Sequence, residues 1–261
     1  HQSKEKKLSI SIYEERENIE ENYKRNIAMA AAIHQALKEN RIICHYQPIV
    51  GFNDEVQKYE ALVRMIDNDG NIVAPIYFLP IAKKTKLYSQ ITRCVVAQAC
   101  NKFQHSESEF SINLSIDDIN DPYTVQEIIK TMIDTNTSNQ IVFEILETEG
   151  IENYTSVTRF IKQVKALGAK IAIDDFGTGY SNFEHILRLD IDYIKIDGSL
   201  VRGVAGDERF RIIIETINEF AKRMNVKTIA EYVCDESVYN AIKAIGIDYS
   251  QGYFTGKPSS L

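Results

Sequence analysis

The chain has 261 residues, 44% of them hydrophobic and 26% charged, which is ample for one large α/β domain or two small ones. Its formal net charge of −7 argues against a duplex nucleic-acid binder, because such proteins draw affinity from Lys and Arg on phosphates; a phosphate ligand here needs bound cations or a local basic cluster. No apolar run approaches the roughly 20 residues of a membrane span and the first residues carry no signal-peptide stretch, so we expect a cytoplasmic location, with any membrane tether in another part of a longer protein.

Residues 14 to 40 are charge-rich, free of Pro and Gly, and set Ile19, Tyr23, Ile27, Ala30, Ile33 and Leu37 at helical spacing. We expect residues 1–40 to be a lead-in or linker helix, the exit of a preceding domain, and residues 41–261 to be the main domain. Eight short β-branched runs follow: "RIICHYQPIV" (41–50), "KYEALVRMI" (58–66), "FSINLSI" (110–116), "IVFEILE" (141–147), "KIAIDDF" (170–176), "DYIKID" (192–197), "KTIAEYV" (227–233) and "IDYSQGYF" (247–254). From the second onward each precedes an amphipathic helical segment, such as 75–103, 123–135, 154–168 and 208–225, the alternation of a parallel sheet. Eight such strands suggest a closed barrel. The first two are joined only by "GFNDEVQ", too short for a crossover helix, so the first strand should run antiparallel.

On a (β/α) barrel, active sites gather where the strands end at the carboxyl face. Glu60 lies in the second run, Asn113 in the third, Glu144 and Glu147 at the end of the fourth, and Asp174 and Asp175 at the end of the fifth. Lys195 and Asp197 end the sixth, Glu231 lies in the seventh and Gln251 in the eighth. Two unit charges about 4 Å apart repel by roughly 4 kcal/mol at an effective dielectric of 20, so this rim calls for protons or cations. The five histidines are scattered, and the four cysteines, read as reduced thiols, are too far apart for a zinc ribbon. Oxygen ligands with one amide favour Mg²⁺ or Mn²⁺, and a bridging carboxylate suggests two ions. Any one strand-end acid also suits a helix N-cap or turn, but Glu60 and Glu144 sit inside apolar strands, where burial without a partner is costly. Gly177 and Gly179 fit a tight turn or a mobile catalytic loop.

The motifs "YQPIV", "EALVR", "NLS", "EILE", "DDFGTGYSN", "KID", "AEYV" and "QGYFTGKP" occur in that order between residues 41 and 258. In them the chain resembles the EAL domain, the bacterial cyclic-di-GMP phosphodiesterase family named for the tripeptide found here as Glu60-Ala61-Leu62. The resemblance implies a modified (β/α)8 TIM-like barrel with the first strand antiparallel. It also implies metal-dependent hydrolysis of one phosphodiester of cyclic di-GMP to linear pGpG, which lowers the second messenger. Carried over by motif, Glu60, Asn113, Glu144 and Asp174 would hold one Mg²⁺ or Mn²⁺, and Asp174 and Asp175 a second, with Asp197 or Glu231 helping through water. Lys195 would orient the attacking water or neutralise developing charge, Glu231 would accept its proton, and Gln251 would support the same network. Gln47, Leu62 and Arg64 would contact the ligand, Arg64 by a bidentate grip on phosphate. Glu147 would brace the "DDFGTGYSN" loop, which in this family also lies at a homodimer contact.

Two departures stand out. The family's "AEGVE" reads "AEYVC" here, placing Tyr232 and Cys234 at positions normally Gly and Glu, and Leu146 replaces the Thr that commonly precedes Glu147. Both bear on loop rigidity more than on metal binding. A catalytically inactive cyclic-di-GMP receptor and a dimerising regulatory module are the alternative readings, with a diguanylate-cyclase-like or sensor domain as the expected fusion partner.

Overall fold

The computed structural model describes residues 21–52, 56–148, 154–178 and 187–261. Residues 1–20 of the expected lead-in, and Gly179 to Asn182 of the "DDFGTGYSN" loop, lie outside them. The chain forms two compact units, His1–Ile43 with Arg64–Ile91 and Cys44–Val63 with Thr92–Leu261.

The barrel strands, which lie in the larger unit save for residues 42–43 and 64–66, are β1 (Ile42–Gly51), β2 (Val56–Ile66), β4 (Glu109–Leu114), β5 (Ile141–Leu146), β6 (Lys170–Phe176), β7 (Tyr193–Ile196), β8 (Lys227–Ala230) and β9 (Tyr249–Gln251). They follow the order β1-β9-β8-β7-β6-β5-β4-β2, and pairing of β1 with β2 closes the circle. Every successive pair from β2 to β9 is parallel, whereas β1 is antiparallel to β9 with Ile49 opposite Gln251. The expected inverted first strand is therefore present.

Parallel strands covered on both faces must be apolar on both, which is why "IVFEIL" and "YIKI" read as continuous runs; all of the latter and all but the last residue of the former are buried. A charged residue within such a strand then has nowhere to go but the barrel interior or its rim. Ile49, Val142, Ala172, Tyr193 and Ile229, from five strands, pack into one apolar cluster. At the amino ends of the strands, Glu109 accepts hydrogen bonds from Lys58, Lys170 and the Tyr193 hydroxyl, the last at 2.8 Å. Outside, helices bury one stripe each: Ile128 and Met132 from Pro122–Asp134, Val157, Phe160, Ile161 and Val164 from Tyr154–Lys165, and Ile214, Ile217 and Ala221 from Glu208–Arg223. Asp121, Asp207 and Asp235 cap helix N-termini through side-chain acceptors, satisfying backbone N–H groups that the first turn leaves open.

In the smaller unit residues 21–38 are helical, and Ile33 and Ala36 are fully buried. A ninth strand, β3 (Ile72–Val73), was not anticipated; it folds back antiparallel on Met65 and Ile66. The turn is encoded in "DNDGN": Asp67 Oδ1 accepts from the N–H groups of Asp69 and Asn71, and Gly70 takes φ +85°. The helical segment 75–103 is divided into Pro75–Lys84 and Tyr88–Phe103, because Lys86 adopts a left-handed φ of +58° between them. Among the described residues no helix is long and apolar enough to cross a membrane, and all four cysteines are free thiols.

Candidate active site

At the carboxyl ends of the strands one ammonium group stands among four carboxylates. Lys195, 1% exposed in the middle of β7, puts Nζ 2.7 Å from Glu144, 2.8 Å from Glu231, 3.2 Å from Asp174 and 3.4 Å from Glu60. Glu60 is held from three sides, since the Asn113 amide donates to Oε1 at 2.7 Å and the Gln251 amide to Oε2 at 2.5 Å, beside the lysine. The register makes this possible: Asn113 and Glu144 are directly paired across β4 and β5.

Successive residues of a strand point to opposite faces, so two adjacent aspartates should not share a site. A bulge removes the objection. Ile173 pairs with Ile194 and Phe176 with Ile196, which leaves one residue too many on β6 across Asp174 and Asp175. Asp175 absorbs it with φ +54°. As a result, carboxylate oxygens of Asp174, Asp175 and Glu231 all lie within 4.8 Å of one another.

The electrostatics follow from packing acids around one cation. Burial favours neutral Lys195, but Asp174, Glu144, Glu231 and Glu60 outweigh it and hold the ammonium well above its ordinary pKa. Burial, the Glu60 charge and the Asp174 charge push Glu144 well above the carboxylate range. Burial raises Glu231 to about 8 against the pull of Lys195, with Asp174 and Glu60 adding to the rise. Asp175 rises to about 6 through burial and the neighbouring charges of Asp174 and Asp197. Glu60 runs the other way, because the Lys195 charge and the two amide donors overcome its burial.

The remaining sequence-derived residues are placed as follows. The Asp197 side chain accepts from the Ser199 N–H and caps the helical turn Gly198–Val201. Glu147, just past β5, accepts from the Gly177 N–H at 3.2 Å. Gln47 is buried, donating to the Gly256 carbonyl at 3.0 Å and accepting from Gln251 at 3.4 Å. Leu62 is half-buried on β2, and Arg64, also half-buried, belongs to the smaller unit. Glu231 lies one residue beyond β8, not within it.

In a comparison with known families, a model of the EAL domain matches residues 30–258. The chain belongs to the EAL domain family. Cyclic di-GMP phosphodiesterase PdeB of Shewanella oneidensis is 33% identical across 97% of this chain, and cyclic di-GMP phosphodiesterase PdeF of Escherichia coli is 32% identical across 93%. This chain spans 30% and 33% of their respective lengths. Among solved structures, "PaMucR Phosphodiesterase, c-di-GMP complex" superposes with a TM-score of 0.84 at 28% identity, covering 89% of this chain and 97% of that one.

The residues of this EAL domain fit a divalent cation. Glu144 Oε1 and Asp174 Oδ1 are buried without a hydrogen-bond donor, the latter lying within ion-pair distance of Lys195 Nζ at 3.2 Å. Such orphaned carboxylate oxygens, gathered with the Asn113 and Gln251 amides and no His or Cys, are what a hard cation coordinates. The departures from the family pattern also have a structural expression. Tyr232, where the family carries Gly, has φ +56°, a conformation natural to Gly and strained for Tyr. Leu146 leaves the contact from Gly177 to Glu147 in place. Sequence reasoning missed Arg202, whose guanidinium lies 3.7 Å from the Tyr232 ring centroid; its spacing from any motif carries no signal of that contact.

Proposed function

We propose that this EAL domain hydrolyses one phosphodiester bond of cyclic di-GMP to the linear dinucleotide pGpG in a reaction dependent on Mg²⁺ or Mn²⁺. The observation that carries the reading is the bulge at Asp174 and Asp175, which turns two adjacent carboxylates and Glu231 into a single cluster. The names of the two curated relatives and of the solved phosphodiesterase support the substrate. Glu60, Asn113, Glu144 and Asp174 would hold one ion, and Asp174 and Asp175 the other, with Asp197 or Glu231 assisting through water. Bound there, the ions would supply Lewis-acid polarisation of the phosphoryl oxygens and would lower the pKa of a water.

The protein's own groups do the rest. Glu231, whose carboxylate lies with those of Asp174 and Asp175, takes the proton of the attacking water at a carboxylate oxygen. Lys195 Nζ keeps its proton and neutralises charge developing at the phosphorus. Gln251 and Asn113 fix the Glu60 carboxylate, so the cage does not reorganise during the reaction. Gln47, Leu62 and Arg64 are proposed to meet the ligand, and Glu147 to steady the loop beginning at Gly177. We further propose a homodimer in the cytoplasm, with residues 1–40 leading in from a diguanylate-cyclase-like or sensor domain.

The deciding experiment incubates purified protein with cyclic di-GMP and Mg²⁺ or Mn²⁺ and separates the products by chromatography. Linear pGpG that disappears on chelation is expected. Full activity after exhaustive chelation would overturn the metal reading, and tight binding without turnover under either ion would make the domain a receptor. Sedimentation tests the dimer, with a monomer at all concentrations as the contrary result.

A further inference from the structure

Tyr232 combines three features that no structural need explains. It directly follows Glu231, it is held at a left-handed φ of +56°, and it is 54% exposed. Strained non-glycine residues persist where the surroundings over-determine them, and they cluster at functional sites. Here the surroundings are specific. A Cβ on Gly198 would stand 2.6 Å from the Tyr232 Cβ, so the residue after Asp197 must stay bare for the tyrosine to fit. The tyrosine thus stands against Gly198, so that the residue after Glu231 meets the residue after Asp197, next in the chain to two acids of the site. On one side Arg202, the residue that caps the C-terminus of the turn Gly198–Val201, lays its guanidinium 3.7 Å from the ring centroid.

A tyrosine kept at a backbone cost, backed by an arginine and open elsewhere, is a platform for a flat partner. Aromatic faces bind nucleobases by stacking whatever their hydrogen-bonding edge, and an arginine behind the ring removes the torsional freedom that such a contact would otherwise have to freeze. We propose that Tyr232, pinned by Arg202, is a specificity-determining residue that stacks on a purine base of the nucleotide whose phosphodiester the neighbouring carboxylates handle. The inference rests on the hydrolase reading above and deepens it: the acids select a phosphodiester, and the Tyr232 ring selects one that carries a base.

The test compares wild type with Tyr232→Gly, Tyr232→Phe and Arg202→Ala. The probes are cyclic di-GMP turnover and calorimetric binding of GMP and of ribose 5-phosphate, each with Mn²⁺ present. For Tyr232→Gly we expect KM for cyclic di-GMP and the dissociation constant of GMP to rise about tenfold, kcat to fall by less, and ribose 5-phosphate affinity to change less than twofold. Tyr232→Phe keeps the ring face and should recover most of the GMP affinity, while Arg202→Ala should fall between. Equal losses for GMP and ribose 5-phosphate would reduce Tyr232 to a packing residue, and an unchanged GMP affinity would overturn the platform outright. A wild type that never hydrolyses cyclic di-GMP sinks the hydrolase reading instead, and the GMP comparison then still decides the platform.

Discussion

Glu231 is the residue at which chemistry and binding separate. Glu231→Gln keeps shape and a hydrogen-bonding oxygen but loses the basic carboxylate, so turnover at saturating substrate and metal should fall by roughly 10²–10⁴, with ligand affinity changed less than about tenfold. Steady-state kinetics beside calorimetry reads both; near-wild-type turnover would pass the role of base elsewhere in the cluster. The same residue gives a pH signature. In metal-free protein its folded pKa of about 8 lies above the roughly 4.3 of an unfolded glutamate, so the folded state binds the extra proton and loses stability as pH rises from about 4 to 8. Denaturant titrations across that window should show the decline in wild type and a shallower one in Glu231→Gln. For Tyr232, left-handed strain of roughly 1–2 kcal/mol is offset by the Arg202 stack of roughly 0.5–1 and by the entropy that glycine adds to the unfolded chain. Tyr232→Gly should thus fold with a stability within about 1 kcal/mol of wild type, checked by the same titrations. The acids themselves were legible from the sequence, because a Glu inside "VFEILE" has no apolar explanation. Lys195 was legible on the same rim, but its pairing with the acids was not, since nothing in "YIKI" says that it meets Glu60, 135 residues earlier.

At the scale of elements, strand alternation and helical periodicity disclosed the barrel and its inverted first strand, because burial on both faces leaves an unbroken apolar run. What stayed hidden were features set by single backbone angles: the break at Lys86, the hairpin ending in β3 and the bulge at Asp175, all at positive φ or beside it. Hydrophobic pattern is blind to these, because it counts side chains and not the direction of the chain. The network joining β2, β4, β6 and β7 at their amino ends is testable separately from the site. Burial pushes Glu109 up, but Lys170, Lys58 and the Tyr193 hydroxyl outweigh it and hold its pKa below the usual value. A lowered carboxylate contributes stability above the unfolded pKa and loses it as pH falls through the folded one. Glu109→Gln should destabilise the domain by about 2–3 kcal/mol at pH 7, less than the full cost of breaking a deeply buried pair because the group is partly solvated. The gap from wild type should narrow below about pH 4; a gap constant from pH 7 to 3 would mean that charge is not what Glu109 contributes.

For the whole molecule, cations and stability are linked. A divalent ion that binds only the folded state adds about 2.7 kcal/mol at a hundred times its dissociation constant, or about 5–10 °C in thermal midpoint for a chain of this size. Calorimetric scans with and without Mn²⁺ should show the rise, and Glu60→Ala, which removes one proposed ligand, should diminish it while reducing turnover to below a tenth. The two ends of the barrel carry opposite surpluses. At the carboxyl end four acids surround one lysine, and at the amino end two lysines share one acid. The barrel is therefore an electric dipole along its axis, negative pole at the mouth. Before cations bind, that pole repels an anionic ligand, and added inert salt should speed its arrival. Once two divalent cations fill the mouth its surplus is largely cancelled, and the same salt should then change the arrival rate much less.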